Sequence, residues 1–196
     1  MTIAELASEE PYALATGPFG SAISAKNFVD HGVPVIRGSN LSLDVGTRLK
    51  DEGLAFLTEA KAAGFKRSVA RRGDLVFTCW GTVGQIGLVD ERSKYAEYVV
   101  SNKQMKLTPD PARVDSVFLY YLLSSPKQVR AVTGQAIGAA VPGFNLGQLK
   151  DIGVSLPPLD VQTQIAGVLN AFDDLIDNNR RRVEALEEMA RAIYRE

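Results

Sequence analysis

The 196-residue chain has one cysteine and one histidine. Cys79 has no second cysteine to bridge to, and with His31 as its only companion it cannot build a zinc site of the usual Cys/His kind. The same scarcity bears on catalysis, because Ser-His and Cys-His arrangements would all depend on His31. That residue sits in Val29-Asp30-His31-Gly32 and reads as an exposed turn. There is no GxxxxGK[ST] loop, and no G-x-G-x-x-G opens a helix after a strand. The glycines of Gly81-Thr82-Val83-Gly84-Gln85-Ile86-Gly87 suit a hairpin better than a phosphate cradle. Pro157-Pro158 follows Leu156, without the Asn or Asp that the amine-holding motif of amino-methyltransferases places there. No catalysis and no cofactor are therefore expected of this chain. No apolar run approaches the ~20 residues that cross a bilayer, and the Met1–Leu6 start lacks the pattern of a signal peptide. The expectation is a soluble, cytoplasmic protein without membrane contact. Charge surplus is missing too: 22 Lys/Arg against 23 Asp/Glu leave a net −1, whereas dedicated DNA-binding domains are often strongly basic.

What is present divides into two textures. Residues 1–156 are punctuated by Gly and Pro between short apolar runs. Strands are expected at Val33–Arg37, with Pro34 at an edge or a strand start, and at Asp74–Trp80, Gln85–Val89, Tyr98–Val100 and Gln104–Leu107. Short helices are expected at Thr58–Gly64, Asp115–Leu123 and Lys127–Thr133, and from Gly143-Phe144-Asn145-Leu146-Gly147 towards Asp151. Lys61, Lys66, Arg67, Arg71 and Arg72 form a basic cluster countered only by acids distant in sequence; its local field suits phosphates even on a neutral domain.

Residues 157–196 differ. After Pro157-Pro158, which no helix interior accommodates, Ile165, Leu169, Phe172, Ile176, Asn179, Val183, Leu186, Ala190 and Ile193 alternate in steps of four and three. That is an a/d seam over four heptads, with Asn179 as a register-fixing polar residue. About 35 helical residues make a rod of roughly 50 Å, longer than the preceding domain can cover, so the seam is expected to pair with another helix rather than to lie along its own domain, the alternative reading. Asp173, Asp174, Asp177, Glu184, Glu187 and Glu188 read as its solvated face. The fold class is thus α+β, a mixed strand-rich domain followed by a long coiled-coil helix.

Several motifs occur in a telling order: Gly17-Pro18-Phe19-Gly20-Ser21, Val35-Ile36-Arg37-Gly38-Ser39-Asn40-Leu41, Gly73-Asp74-Leu75-Val76-Phe77-Thr78, Gly81-Thr82-Val83-Gly84 and Ser101-Asn102-Lys103. They end in Leu156-Pro157-Pro158-Leu159, Gln162, Ile165-Ala166 and Leu169, leading into Asp173-Asp174-Leu175-Ile176-Asp177-Asn178-Asn179-Arg180-Arg181-Arg182. This set resembles the specificity subunit of type I restriction–modification systems. The resemblance implies a target recognition domain for one half of a split site on double-stranded DNA, then a spacer helix. It also implies a DNA methyltransferase (modification) subunit that carries the S-adenosylmethionine chemistry, and a restriction subunit. Members of that family usually carry two recognition domains and two helices, and this sequence has one of each, as a natural half-subunit or an excised half would. A homodimer through Ile165, Leu169, Phe172, Ile176, Asn179, Val183, Leu186 and Ile193, with antiparallel helices, is expected to read an interrupted palindrome.

Base edges need Arg or Lys for guanine and Asn or Gln for adenine. Arg37, Ser39 and Asn40, entering a loop from a strand, are the first candidates; Ser21 and Lys26 suit phosphates. Trp80 and Thr82 occupy a hairpin tip, although Trp80 also fits core packing. Asn102 and Lys103 break two strands, and Gln135 and Asn145 belong to a Gly- and Ala-rich stretch. The competing reading is a coiled-coil adaptor whose head binds protein.

Overall fold

Short apolar runs between Gly and Pro breaks become short strands in the computed structural model, which describes residues 1–134 and 143–194. The first sheet is antiparallel, with spatial order β1 (Leu14–Thr16), β8 (Gln104–Leu107), β5 (Leu75–Thr78), β6 (Ile86–Leu88). The second has the order β3 (Ala55–Leu57), β2 (Val33–Ile36), β7 (Glu97–Val100), β4 (Val69–Arg71), with β2 and β7 parallel. β2 is an interior strand, yet Pro34 is tolerated because the ladder to β7 begins only at Val35. Its missing N–H interrupts nothing there.

All four residues of β5 are buried, since both of its faces are covered. Leu75 and Phe77 point towards helices α1 (Ile3–Leu6), α3 (Ser116–Leu123) and α5 (Leu146–Lys150), joining Met105, Leu107, Leu119 and Leu149. Val76 points the other way, towards Ile36, Ala70, Tyr98 and Val100 of the second sheet. The far face of that sheet packs Val35, Leu57 and Val99 against Ala62 of α2 (Glu59–Ala63). Each fully buried Leu, Val or Phe contributes about 1.5–3 kcal/mol by transfer from water. Between the sheets lies one ion pair: Lys106 Nζ donates to Asp74 Oδ2 at 3.1 Å and to Thr108 Oγ1 at 2.9 Å. Burial pushes the Asp74 carboxyl above the usual carboxylate range, against the pull of Lys106.

The remaining helices are α4 (Pro126–Gly134) and α6 (Leu159–Ile193), a 35-residue rod whose N-cap is Pro158. Gln162 fixes its start, accepting from Asp115 N–H at 3.1 Å and donating to the Pro157 carbonyl at 2.9 Å. Beyond it, Ala166, Asn170, Asp173 and Asp177 recur at helical spacing, and Ala166 and Asp173 are buried. This polar face docks on the head. Asp173, expected as part of the solvated face, is only 7% exposed. It accepts from Arg48 Nη2 at 2.8 Å and from the Tyr121 hydroxyl, while Arg48 also pairs with Asp90 at 2.7 Å. Burial pushes the Tyr121 phenol upward, and the bond to Asp173 adds to that, so it stays a donor. Arg92 extends the network to Asp174 at 2.7 Å.

The apolar seam lies about a quarter turn round the helix, at 100° per residue. Ile165, Phe172, Ile176, Val183, Leu186 and Ile193 are exposed, Phe172 to 60%. Leu169, beside the docked face, is half-buried, and Asn179 is exposed with its seam neighbours. Among the described residues no helix is long and apolar enough to cross a membrane.

Candidate nucleic-acid interface

Strand direction gathers the sequence-selected loops. β1, β2, β5 and β7 run towards one end of the two sheets, and β4, β6 and β8 start from it, as the registers Thr16↔Met105, Thr78↔Gln104 and Val69↔Val99 require. The turns at this end are cross-linked. Gly17 N–H donates to the Gln104 carbonyl at 2.9 Å, and a Cβ on Gly17 would stand 1.8 Å from the Ser101 carbonyl oxygen. Asn102 Nδ2 donates to the Gly20 carbonyl at 3.2 Å, and Ser101 N–H to the Ile36 carbonyl at 2.9 Å. Cys79 N–H donates to the Lys103 carbonyl at 2.8 Å, and Phe144 N–H to the Cys79 carbonyl at 2.9 Å. Ser68 Oγ donates to the Thr16 carbonyl at 3.0 Å, which places Lys66 and Arg67 on the same rim.

Ser21, Ser39, Trp80, Thr82, Lys103 and Asn145 are exposed along this end. Trp80 is 51% exposed and is not a core residue. One side of its ring lies on Gly143, where a Cβ would come within 2.6 Å of it. Arg37 lies above the Phe28 ring at 5.6 Å and donates to the Gly53 carbonyl at 2.7 Å. Lys26, two residues before Phe28 in the chain, is exposed. Asn145 caps α5: its Oδ1 accepts from Gln148 N–H at 3.0 Å. Gln135 lies outside the described residues.

Two expectations are corrected. Asn40 is fully buried, its Oδ1 accepting from Arg37 N–H and its Nδ2 donating to the Lys50 and Glu52 carbonyls. Both amide protons are spent inside the fold, so it shapes the loop and meets no base. The five-residue basic cluster is also divided. Arg71 pairs with Glu97 across the ladder at 2.8 Å and Arg72 with Glu91 at 3.1 Å, away from the loop end. Lys66, Arg67 and Lys103 make no ion pair among the described residues. Segments 17–22, 37–40, 66–68, 79–84, 101–104 and 143–146 together hold Arg37, Lys66, Arg67 and Lys103 and no carboxylate, and the adjoining 50–53 turn, bonded to Arg37 and Asn40, adds Lys50, Asp51 and Glu52. Residue spacing alone hid this, because the segments meet only once the strands pair.

No three His, Cys, Asp or Glu side chains converge as a metal set among the described residues. Burial pushes the Cys79 thiol up to about 11, leaving a protonated core residue. A cleft of about 390 Å³ between residues 46–52 and 177–184 is lined by Arg48, Lys50, Arg92 and Arg181 with Asp90, Asp177 and Glu184. Charges of both signs compensate one another there, which marks a joint between head and helix and not a ligand pocket.

The head thus gathers Arg37, Lys66, Arg67 and Lys103 at one loop end and carries a helix with an uncovered apolar stripe, the features of a binding module rather than of a catalytic site. The chain belongs to the type I restriction modification DNA specificity domain family, whose model matches residues 20–188. It is 24% identical over 180 residues to the putative type I restriction enzyme MjaX specificity subunit of Methanocaldococcus jannaschii, covering 89% of this chain and 41% of that protein. The S subunit of a type I restriction–modification system from M. genitalium shares its fold, with a TM-score of 0.61 at 17% identity over 91% of this chain and 39% of that one. A chain solved in work on complex assembly and conformational transition of the type I R-M system gives 0.60 at 14% identity, over 92% and 39%. The chain therefore spans about two fifths of the length of these relatives.

Proposed function

We propose that this chain is a DNA sequence-specificity module of a type I restriction–modification complex. Its loop end reads one half of a bipartite duplex target, and its helix brings that reading to the modification and restriction subunits. The observation that carries the reading is the loop end, where Arg37, Lys66, Arg67 and Lys103 gather although the chain as a whole carries −1. Ser21, Lys26, Lys66, Arg67 and Lys103 are assigned to phosphates, and Arg37, Ser39, Thr82, Asn102, Gln135 and Asn145 to base edges, with Trp80 as a stacking surface. Family membership and the specificity-subunit relatives support the assignment. A fold neighbour solved in work on complex assembly supports association with other subunits of such a system. Methyl transfer and cleavage belong to those subunits in this proposal.

The test is co-purification with a type I modification subunit, followed by selection on random duplexes. Four unpaired cations on phosphates (Lys26, Lys66, Arg67 and Lys103) give a slope of log affinity against log salt of about −3.6 per copy, and Lys103→Ala reduces it by about 0.9. Association without any duplex selection at low salt would establish the adaptor reading instead.

The exposed seam supports a second copy as the partner of α6, in an antiparallel pair that sets two recognition heads apart. Sedimentation at micromolar concentration reads this directly: a dimer for the native chain and a monomer for Ile176→Asp. A native chain that stays monomeric rules out this part of the proposal and leaves the DNA reading intact.

A further inference from the structure

Phe19 was not selected by sequence as a contact, and it is the most exposed aromatic side chain of the head apart from the helix, at 77%. Single exposed apolar residues are ordinary on protein surfaces. Phe19 differs in how it is held. Pro18 precedes it, and Gly20 follows with φ +61°, a turn only glycine adopts without strain. Its own carbonyl accepts from Ala22 N–H at 3.4 Å, and the next carbonyl accepts from Asn102 Nδ2. Gly17 is seated against Ser101 with no room for a side chain. The backbone is thus fixed on both sides of a ring that touches little of its own domain.

The neighbours are polar and cationic. The Ser68–Thr16 bond ties the Lys66–Arg67 segment to the base of the loop, and the Asn102–Gly20 bond ties in the segment that carries Lys103. A rigid apolar ring on a loop bonded to two cationic segments that hold no carboxylate suits an anionic polymer with an apolar interior. An apolar protein partner would leave those cations to be desolvated unpaired. We propose that Phe19 inserts between stacked bases of the bound duplex while Lys66, Arg67 and Lys103 hold the phosphates on either side. Apolar side chains serve other DNA-binding proteins as such wedges, at the expense of base stacking. The proposal rests on the DNA-reading assignment above and adds a deformation of the target to it.

The experiment uses the assembled complex and the duplex it selects, with 2-aminopurine placed stepwise along each half-site. Native complex should raise the fluorescence of one step as the base unstacks. Phe19→Ala should abolish that rise and weaken binding about 5–150-fold, the equivalent of ~1–3 kcal/mol per stacked base. Its salt slope should not change, because no phosphate contact is lost. Phe19→Leu should keep the fluorescence rise. Native binding without any 2-aminopurine rise overturns the insertion, as does native affinity in Phe19→Ala. Loss of subunit association in Phe19→Ala also overturns it, by making the ring a protein contact. If the native complex selects no duplex, the DNA-reading assignment itself fails, which the native arm reveals before any variant is compared.

Discussion

Replacing Arg48 by methionine removes the joint between head and helix. The Arg48 side chain is 5% exposed and makes ion pairs with Asp90 and Asp173, whose side chains are 14% and 8% exposed. It also donates to Asn170 Oδ1 at 2.5 Å. Without it, Asp173 keeps the Tyr121 hydroxyl and an Arg92 nitrogen 3.5 Å away, too little to compensate a buried carboxylate. Breaking such a pair costs about 3–5 kcal/mol. Arg48 Nε has no partner, so the native network falls short of full satisfaction and the lower half of that range applies. At a urea m-value of about 3 kcal/mol per M, the midpoint should fall by roughly 1–1.3 M. Hydrogen exchange over residues 162–177 should accelerate more than exchange in β5 or β8, because the helix undocks before the sheets open. One molar NaCl should not reproduce the effect in the native chain, since a buried pair is screened little. Arg48→Met with Asp173→Leu should recover part of the loss by removing the stranded charge. A loss below about 1 kcal/mol, or one matched by salt alone, refutes the claim that this network docks the helix.

Lys106→Met leaves Asp74 buried and unpaired, and should cost about 3–5 kcal/mol at neutral pH by urea denaturation. Burial raises the folded pKa of Asp74 above its unfolded value. The folded state therefore binds the extra proton, and stability falls as pH rises from about 4 towards the folded pKa. The cost of Lys106→Met should accordingly be smallest near pH 4. Asn40→Ala should lower stability by about 2–3 kcal/mol through unpaired buried backbone groups; a variant with native stability and altered base preference would restore Asn40 as a reader. Gly143→Ala should displace the ring of Trp80, the single tryptophan, and shift its fluorescence while the unfolding midpoint changes little.

The elements that sequence revealed are those with a period or a punctuation of their own. β5, β6, β7 and β8 are apolar runs bounded by Gly, Ser-Asn or Asp, and α3 begins at Asp115, which caps it by accepting from Phe118 N–H. β1, β3 and β4 are three-residue strands, too short to show alternation. They exist because β8, β2 and β7 offer them backbone partners, information that lies elsewhere in the chain. The site follows the same division. The loops that carry it were legible as breaks between strands, but their meeting at one end depends on strand direction. Asn40 shows the converse, a polar loop residue whose burial no local pattern announces.

The long helix shows why its two faces had to be chemically different. Its seam follows the 3.5-residue repeat of a helix that pairs with another helix, whereas the contact with the head is carried by Gln162, Asn170, Asp173 and the small Ala166. Had the apolar stripe turned inward, hydrophobic burial would have held the helix down and consumed the surface proposed above for a second copy. A docking face built from hydrogen bonds and ion pairs is directional, so it fixes the rotation of the helix about its axis. It also leaves the stripe outward along the full 35 residues. Asp173 thus does for the head what Phe172 and Ile176 are proposed to do for the second copy, and Arg48 keeps the two roles about a quarter turn apart.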